Sequence, residues 1–269
     1  MKLGLFIPTN DRAHDKVAPS IWIRVLQLFT PWQSLNVDVK INHFFKRYDC
    51  VIVYRSIEIS TVLKIIWLKI FSKLVFYDQV VNVFQFGPHV TKKREIIISI
   101  ISKIVDGIIC TTPPIELSAK TLHPTVFRVP EGVDLNHFSK KKDNINFEKP
   151  KFIWSGAAHK ALFLNSFTKT ISNQIILITN SDVIDQPLDF NYDLAQWNHD
   201  SFPTDILNGD IALLPRDLSS VYNQGHSEFK ALVFAVSGLP IIANRLESYS
   251  ILSQFYDGIV FLEDYDNNI

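Results

Sequence analysis

The chain has 269 residues, 47% of them apolar, and its 27 lysines and arginines are balanced by 27 aspartates and glutamates. That apolar supply can build a sizeable core in one large domain or two small ones, and the zero net charge argues against a nucleic-acid binder working by bulk electrostatics. Cys50 and Cys110 lie in apolar runs and read as buried, reduced strand thiols of a cytoplasmic protein, and neither a signal peptide nor a run of about 18 apolar residues able to cross a membrane is expected.

Residues 2–8 read as an apolar strand, and the loop after it, Pro8-Thr9-Asn10-Asp11-Arg12, has none of the glycines of a dinucleotide-binding turn. Helical periodicity covers 19–29, with Thr30-Pro31 expected to stop it. Strands are predicted over 49–54, 73–77, 107–111 and 126–129, and helices over 57–71, 92–105 and 112–122. Residues 139–150 (SKKKDNINFEKP) are polar and charged, and read as an interdomain linker. Beyond it, strands are expected at 151–154, 174–179, 210–214 and 240–243, with helices at 160–168 and 228–237. Strands apolar on both faces and separated by helices imply parallel sheets covered on both sides. The expected organisation is therefore two successive α/β domains, 1–138 and 151–269, joined by 139–150. In such sheets, ligands bind beyond the carboxyl ends of the strands.

Four segments carry candidate chemistry. In Val129-Pro130-Glu131-Gly132-Val133-Asp134-Leu135-Asn136-His137-Phe138, Pro130 fixes the exit from a strand and Gly132 permits a turn. Lys151-Phe152-Ile153-Trp154-Ser155-Gly156-Ala157-Ala158-His159-Lys160 is a strand and turn followed by a basic residue. Gly209-Asp210-Ile211-Ala212-Leu213-Leu214-Pro215 is a strand, with Arg216 at its carboxyl end. Gly225-His226-Ser227-Glu228 then feeds a helix ending at Gly238-Leu239-Pro240, with Ser227 the natural N-cap and Lys230 in the first turn. A helix N-terminus followed by a lysine favours phosphate.

These segments, with Asp106-Gly107-Ile108-Ile109-Cys110-Thr111-Thr112, resemble in order the V-P-N-G-V-D-x-x-x-F junction, the A-D-x-x-L-x-P strand and the S-x-x-K-x-L-E-x-x-A-x-G-x-P-V-I-A donor helix of GT-B glycosyltransferases, especially the large retaining family numbered four. The resemblance implies a GT-B fold, two Rossmann-like domains with parallel sheets facing across a cleft. It implies transfer of a sugar from a nucleotide-sugar donor to a glycan or lipid-linked acceptor, as in bacterial surface polysaccharide synthesis, without a bound metal or other cofactor. Relatives usually continue past this point with a further helix, so the donor domain is read as short or truncated. Lys160 and Lys230 would offset the charge of the leaving diphosphate, with Ser155, Gly156, His159, Arg216, Gly225, His226, Ser227 and Glu228 around the donor. Ser20 and Arg24, one helical turn apart, and Asp78 at a strand end would lie on the acceptor side, Asp78 being the first base to test if the enzyme inverts.

For Lys160 and Arg216 a surface charge is the competing reading, for Arg24 a surface salt bridge, for Asp78 a turn residue, and for Trp197 a core aromatic rather than a nucleobase stack. Glu131 stands where the junction has Asn, and Val233 and Gly225 stand where the family's two donor-site glutamates fall, so the E-x7-E signature is absent. That departure motivates an alternative, a non-catalytic protein of the same fold that binds a glycan or a partner. His89 reads as incidental. Neither Asp11 with Asp15 nor Asp264-Tyr265-Asp266 has the strand-end setting of a metal-diphosphate site. Lys64, Lys69 and Lys73, among Trp67, Phe71 and several isoleucines, could with Lys92, Lys93 and Arg94 form a patch at the inner face of a membrane, or only the basic edge of a buried helix.

Overall fold

The strand segments are apolar on both faces and too short to be helices, and they pair accordingly. The computed structural model describes residues 1–8, 12–13, 16–17, 19–87, 90–165, 174–181, 184, 187–219 and 221–263. They form two α/β units, one of Met1–Glu131 with Ser220–Ser227, the other of Gly132–Ser219 with Glu228–Ile269.

In the first unit, β1 (Lys2–Phe6) is followed by a two-residue antiparallel pair, β2 (Arg12–Ala13) and β3 (Lys16–Val17). Then come β4 (Asp38–Ile41), β5 (Tyr48–Tyr54), β6 (Ser72–Gln79), β7 (Gly107–Cys110) and β8 (Val126–Arg128). The main sheet is ordered β4-β1-β5-β6-β7-β8 and all its pairs are parallel. The sequence alternates faces. Leu3 and Leu5 pack with Ile21 and Val25 on one side, while Val51, Val53, Val75 and Tyr77 pack with Ile65, Leu68 and Ile98 of the helices Ile59–Phe71 and Lys92–Ile104 on the other.

The second unit has β9 (Phe152–Gly156), β10 (Ile175–Thr179), β11 (Tyr192–Gln196), β12 (Ile211–Leu214), β13 (Ile241–Ala243) and β14 (Ile259–Phe261), in the order β11-β10-β9-β12-β13-β14, again all parallel. Counted in chain order this is 3-2-1-4-5-6, the Rossmann order, which reverses between β9 and β12. Counted the same way, the first sheet is 2-1-3-4-5-6, the other common doubly wound order, so both units are Rossmann-like in the broad sense.

Three aspartates fix the strand entries. Asp49 accepts the amide of Lys2 at 2.8 Å, Asp106 that of Val75 at 2.7 Å, and Asp210 that of Lys151 at 3.0 Å. In each case a carboxylate ahead of or opening one strand satisfies a donor at a neighbouring strand, which a parallel ladder would otherwise leave open.

Several expectations change. Thr30-Pro31 does not stop the first helix; Pro19–Arg24 ends at a 3-10 turn, and Pro31 lies in the first turn of a separate helix, Phe29–Ser34, where a missing N–H costs nothing. The tract 139–150 is held to the second unit: Lys142 N–H donates to Ser237 O at 2.9 Å, its ammonium to Leu207 O at 2.9 Å, and the Asn146 amide to Asp210 at 3.2 Å. The chain leaves the first unit earlier, between Glu131 and Gly132. The helix expected over 160–168 is a 3-10 segment, Ala158–Leu164, and residues 166–168 lie outside the described ones. Among the described residues no helix is long and apolar enough to cross a membrane.

Candidate functional site

The reversal of strand order in the second unit puts a ligand position beyond the carboxyl ends of β9 and β12. A small pocket lies there, lined by Trp154, Lys160, Phe163, Pro215, Arg216 and Lys230 together with Leu214. Among the described residues, three cations and no carboxylate line it. Lys230, on the helix Phe229–Val236, donates to Ser155 O at 2.6 Å and stands 5.8 Å from the centre of the Trp154 ring. Burial, then the charges of Arg216 and Lys160, hold its ammonium well below the usual lysine range. Arg216 follows β12, its amide donating to Asn244 at 2.7 Å, and its Nε is buried with no hydrogen-bond partner. The pocket leaves only about 10 Å³ of open space, room for roughly one water.

The sequence-predicted donor residues divide. Lys160, Arg216 and Lys230 come together, with Ser155 and Gly156 beside them on β9. A Cβ on Gly156 would lie 2.5 Å from the Trp154 ring, so the indole occupies the space the glycine frees. His159 is exposed and does not line the pocket. Glu228 takes the N-cap position in helical conformation (φ −71°, ψ −5°) without a side-chain cap bond. Ser227 is not the cap, because its hydroxyl donates to the Glu131 carboxylate in the first unit. Gly225 and His226 also belong to the first unit. A Cβ on Gly225 would sit 2.9 Å from Asn82 Cβ, and its carbonyl accepts from Thr112 at 3.1 Å, so it permits close packing there. His226 meets Tyr222 edge-on at 5.3 Å. Val233 is 1% exposed, buried in the second unit.

On the other side of the reading, Arg24 and Asp78 meet as a buried bidentate pair. Arg24 Nε and Nη2 donate to the two carboxylate oxygens at 3.1 and 3.0 Å, and Nη1 donates to Val129 O at 2.9 Å. Burial pushes the Asp78 carboxyl above its usual range against the pull of Arg24. Burial opposes the Arg24 charge, but the charge of Asp78 and its hydrogen bonds outweigh it. The pair borders a cavity of about 170 Å³ whose other walls include Leu5, Ile52, Tyr54 and Trp32. Ser20 lies in the helix Pro19–Arg24, but its side chain, like His89, Asp11, Asp15 and Asp264 to Asp266, falls outside the described residues.

Trp197 is part-buried, 6.4 Å from the His199 ring and 6.2 Å from Phe202, and His199 in turn stacks on His137 at 4.3 Å. This is a packed aromatic cluster. The sequence reading missed Trp154 and Phe163 as pocket walls, since both looked like ordinary core. Arg55, just after β5, has φ of +59°; a positive φ at an arginine has no sequence signal.

No family model matches the chain, and no curated protein matches it. Among solved structures, that of D-2-hydroxyisocaproate dehydrogenase is similar at a TM-score of 0.25 and 10% identity, over 96% of this chain and 76% of that one. So loose a superposition carries no argument about activity. The chain is a protein of two Rossmann-like units, each with a six-stranded parallel sheet.

Proposed function

We propose that this chain is a GT-B glycosyltransferase that uses a nucleotide-sugar donor and a glycan or lipid-linked acceptor. The observation that carries the reading is the convergence of Lys160, Arg216 and Lys230 on one pocket with no carboxylate in its lining. Three like charges at close range repel, and a partly buried ammonium among them is costly without an anion. A diphosphate supplies up to three negative charges at that position. The dinucleotide alternative lacks support in both halves, because the turn after β9, Ser155-Gly156-Ala157-Ala158, has a single glycine where a pyrophosphate turn needs three.

In this reading Lys230 and Lys160 stabilise the departing nucleoside diphosphate, and Arg216 offers a planar donor fork to one phosphate. Arg24 and Asp78 serve the acceptor, Asp78 being held in place by the guanidinium. The buried Val233 favours a second reading, a non-catalytic GT-B-type protein, because a valine cannot clasp a ribose diol.

A thermal-shift panel of nucleoside diphosphates separates the two. At a ligand concentration of about 100 Kd a binder is stabilised by roughly 2.7 kcal/mol. Under the transferase reading one nucleotide raises the melting temperature, and Lys230→Ala weakens its binding by about 10- to 150-fold, the worth of one charge-assisted hydrogen bond. No response to any nucleotide would reject the transferase.

A further inference from the structure

The helix Ile59–Phe71 buries Thr61, Ile65 and Leu68 against the sheet, yet its opposite face is also apolar. Ile59, Leu63, Ile66, Trp67 and Ile70 are all exposed, Leu63 and Ile70 by 63% and 68%. At 100° per residue these five fall within a sector of about 100°, with Lys64 and Lys69 on its two flanks. The alternative drawn from sequence, a buried helix with a basic edge, therefore fails for this face. The surface extends sideways. A shallow depression of about 550 Å³ joins Ile59 and Val62 to Ile96 and Ile100 of the helix Lys92–Ile104, with Lys93 its one charged wall. At the other end Phe45, 90% exposed, meets Trp67 edge-on at 6.0 Å, and the Trp67 N–H is satisfied by Phe44 O at 3.0 Å. A second groove, of about 590 Å³, brings Lys2, Arg47 and Lys73 beside Ile70 and Phe71, with Asp49 among them.

We propose that this face of the first unit docks on an anionic lipid bilayer, the aliphatic ridge entering the interface and the lysines meeting the headgroups. Charge selects this occupant over a second copy of the chain. Among the described residues, the cations at the ridge and its two depressions are Lys2, Arg47, Lys64, Lys69, Lys73 and Lys93, against Asp106 and Asp49, which pair with Lys69 and Lys73, whereas the whole chain carries 27 of each sign. Two copies meeting through this face would set one basic rim against another, while an anionic leaflet attracts it. A contiguous apolar surface flanked by long basic side chains is the arrangement of a helix lying in an interface. The helix has 13 residues, too short for the roughly 20 that span a bilayer, so it lies on the surface.

The proposal does not depend on the transferase reading, since docking needs no nucleotide. Flotation of the full chain with vesicles of equal parts phosphatidylcholine and phosphatidylglycerol tests it, against vesicles of phosphatidylcholine alone, at about 0.1 M salt. The chain should float with the anionic vesicles and stay behind with the neutral ones. The double variant Leu63→Ser, Ile70→Ser should bind at least about tenfold more weakly, with an unchanged melting temperature because both side chains face outward. Lys64→Glu with Lys93→Glu should weaken binding comparably. Failure of the wild type to float with anionic vesicles, or undiminished flotation of the serine variant, overturns the proposal. So does a dimer in sedimentation that the serine variant dissociates, which would give the face to a second copy.

Discussion

The Arg24–Asp78 pair shows how burial decides what a charged residue can do. Both side chains are under 10% exposed, and the guanidinium engages both carboxylate oxygens. Such a pair is close to neutral for folding while intact, because desolvation offsets the attraction, but removing one partner strands the other. Arg24→Met should therefore cost about 3–5 kcal/mol at pH 7. The sign with pH follows from Asp78. Its folded pKa lies above the unfolded 3.8, and loss of Arg24 removes the interactions that lower it, so the folded value rises further. The penalty of a raised carboxylate pKa is absent at low pH and grows as pH climbs past the unfolded value. Urea melts at pH 4 and pH 7 should show the variant's deficit small at the first and large at the second. An equal deficit at both would mean that Arg24 acts through packing rather than charge.

At the scale of elements, the interior strands of the two main sheets were legible, and of their four edges only β8 was. β5, β6, β9 and β12 show as apolar runs because both faces are covered. β4 (DVKI), β11 (YDLAQ) and β14 (IVF) were missed, and all three are sheet edges, where short length and exposed polar positions erase the signal. Of the site, Lys160, Arg216 and Lys230 were legible, because in a parallel α/β sheet the loops and helix starts on the carboxyl side of the strands converge by topology. The partners of Ser227 and Gly225 were not, because nothing local reports a contact about 100 residues away in sequence. The aspartates before strands looked like family markers, and the structure gives them a physical task. Asp210 accepts from the amides of Lys151 and Asn146 and pairs with Lys142 at 3.2 Å. Burial would raise its pKa, but those donors outweigh it and hold it below the usual 3.8. The stability it confers is thus present above the unfolded pKa and lost as pH falls through the lower folded value. Asp210→Ala should cost about 1.5–3 kcal/mol at pH 7, the range for hydrogen bonds to a charged group. Chemical denaturation at pH 7 measures it; a loss under about 0.5 kcal/mol would show the clamp to be dispensable.

At the scale of the whole molecule, the units do not coincide with a single cut in sequence. Ser220–Ser227 belongs to the first unit although the residues on both sides of it belong to the second. Gly225 is the tightest point of that insertion. Its carbonyl takes the Thr112 hydroxyl, and a Cβ would stand 2.9 Å from Asn82 Cβ and 3.3 Å from Ile115. Asn82 is itself fixed by Ser118 at 3.1 Å, and Ile115 is fully buried, so neither neighbour can yield without disturbing the helix Pro113–Lys120. Gly225→Val adds three carbons where none fits, and overpacking of this kind costs about 1–3 kcal/mol. The penalty should fall on the first unit, whose residues surround the new side chain. Amide exchange resolved by peptide should speed up in β6, β7 and the helix Pro113–Lys120, with β9 and β10 unchanged. Equal loosening of both sheets would mean that the strain is passed along the chain into the helix Phe229–Val236, and the insertion would then be no true part of the first unit. An unchanged exchange pattern would mean that the backbone at 225 moves freely, leaving the glycine without the packing role assigned to it here.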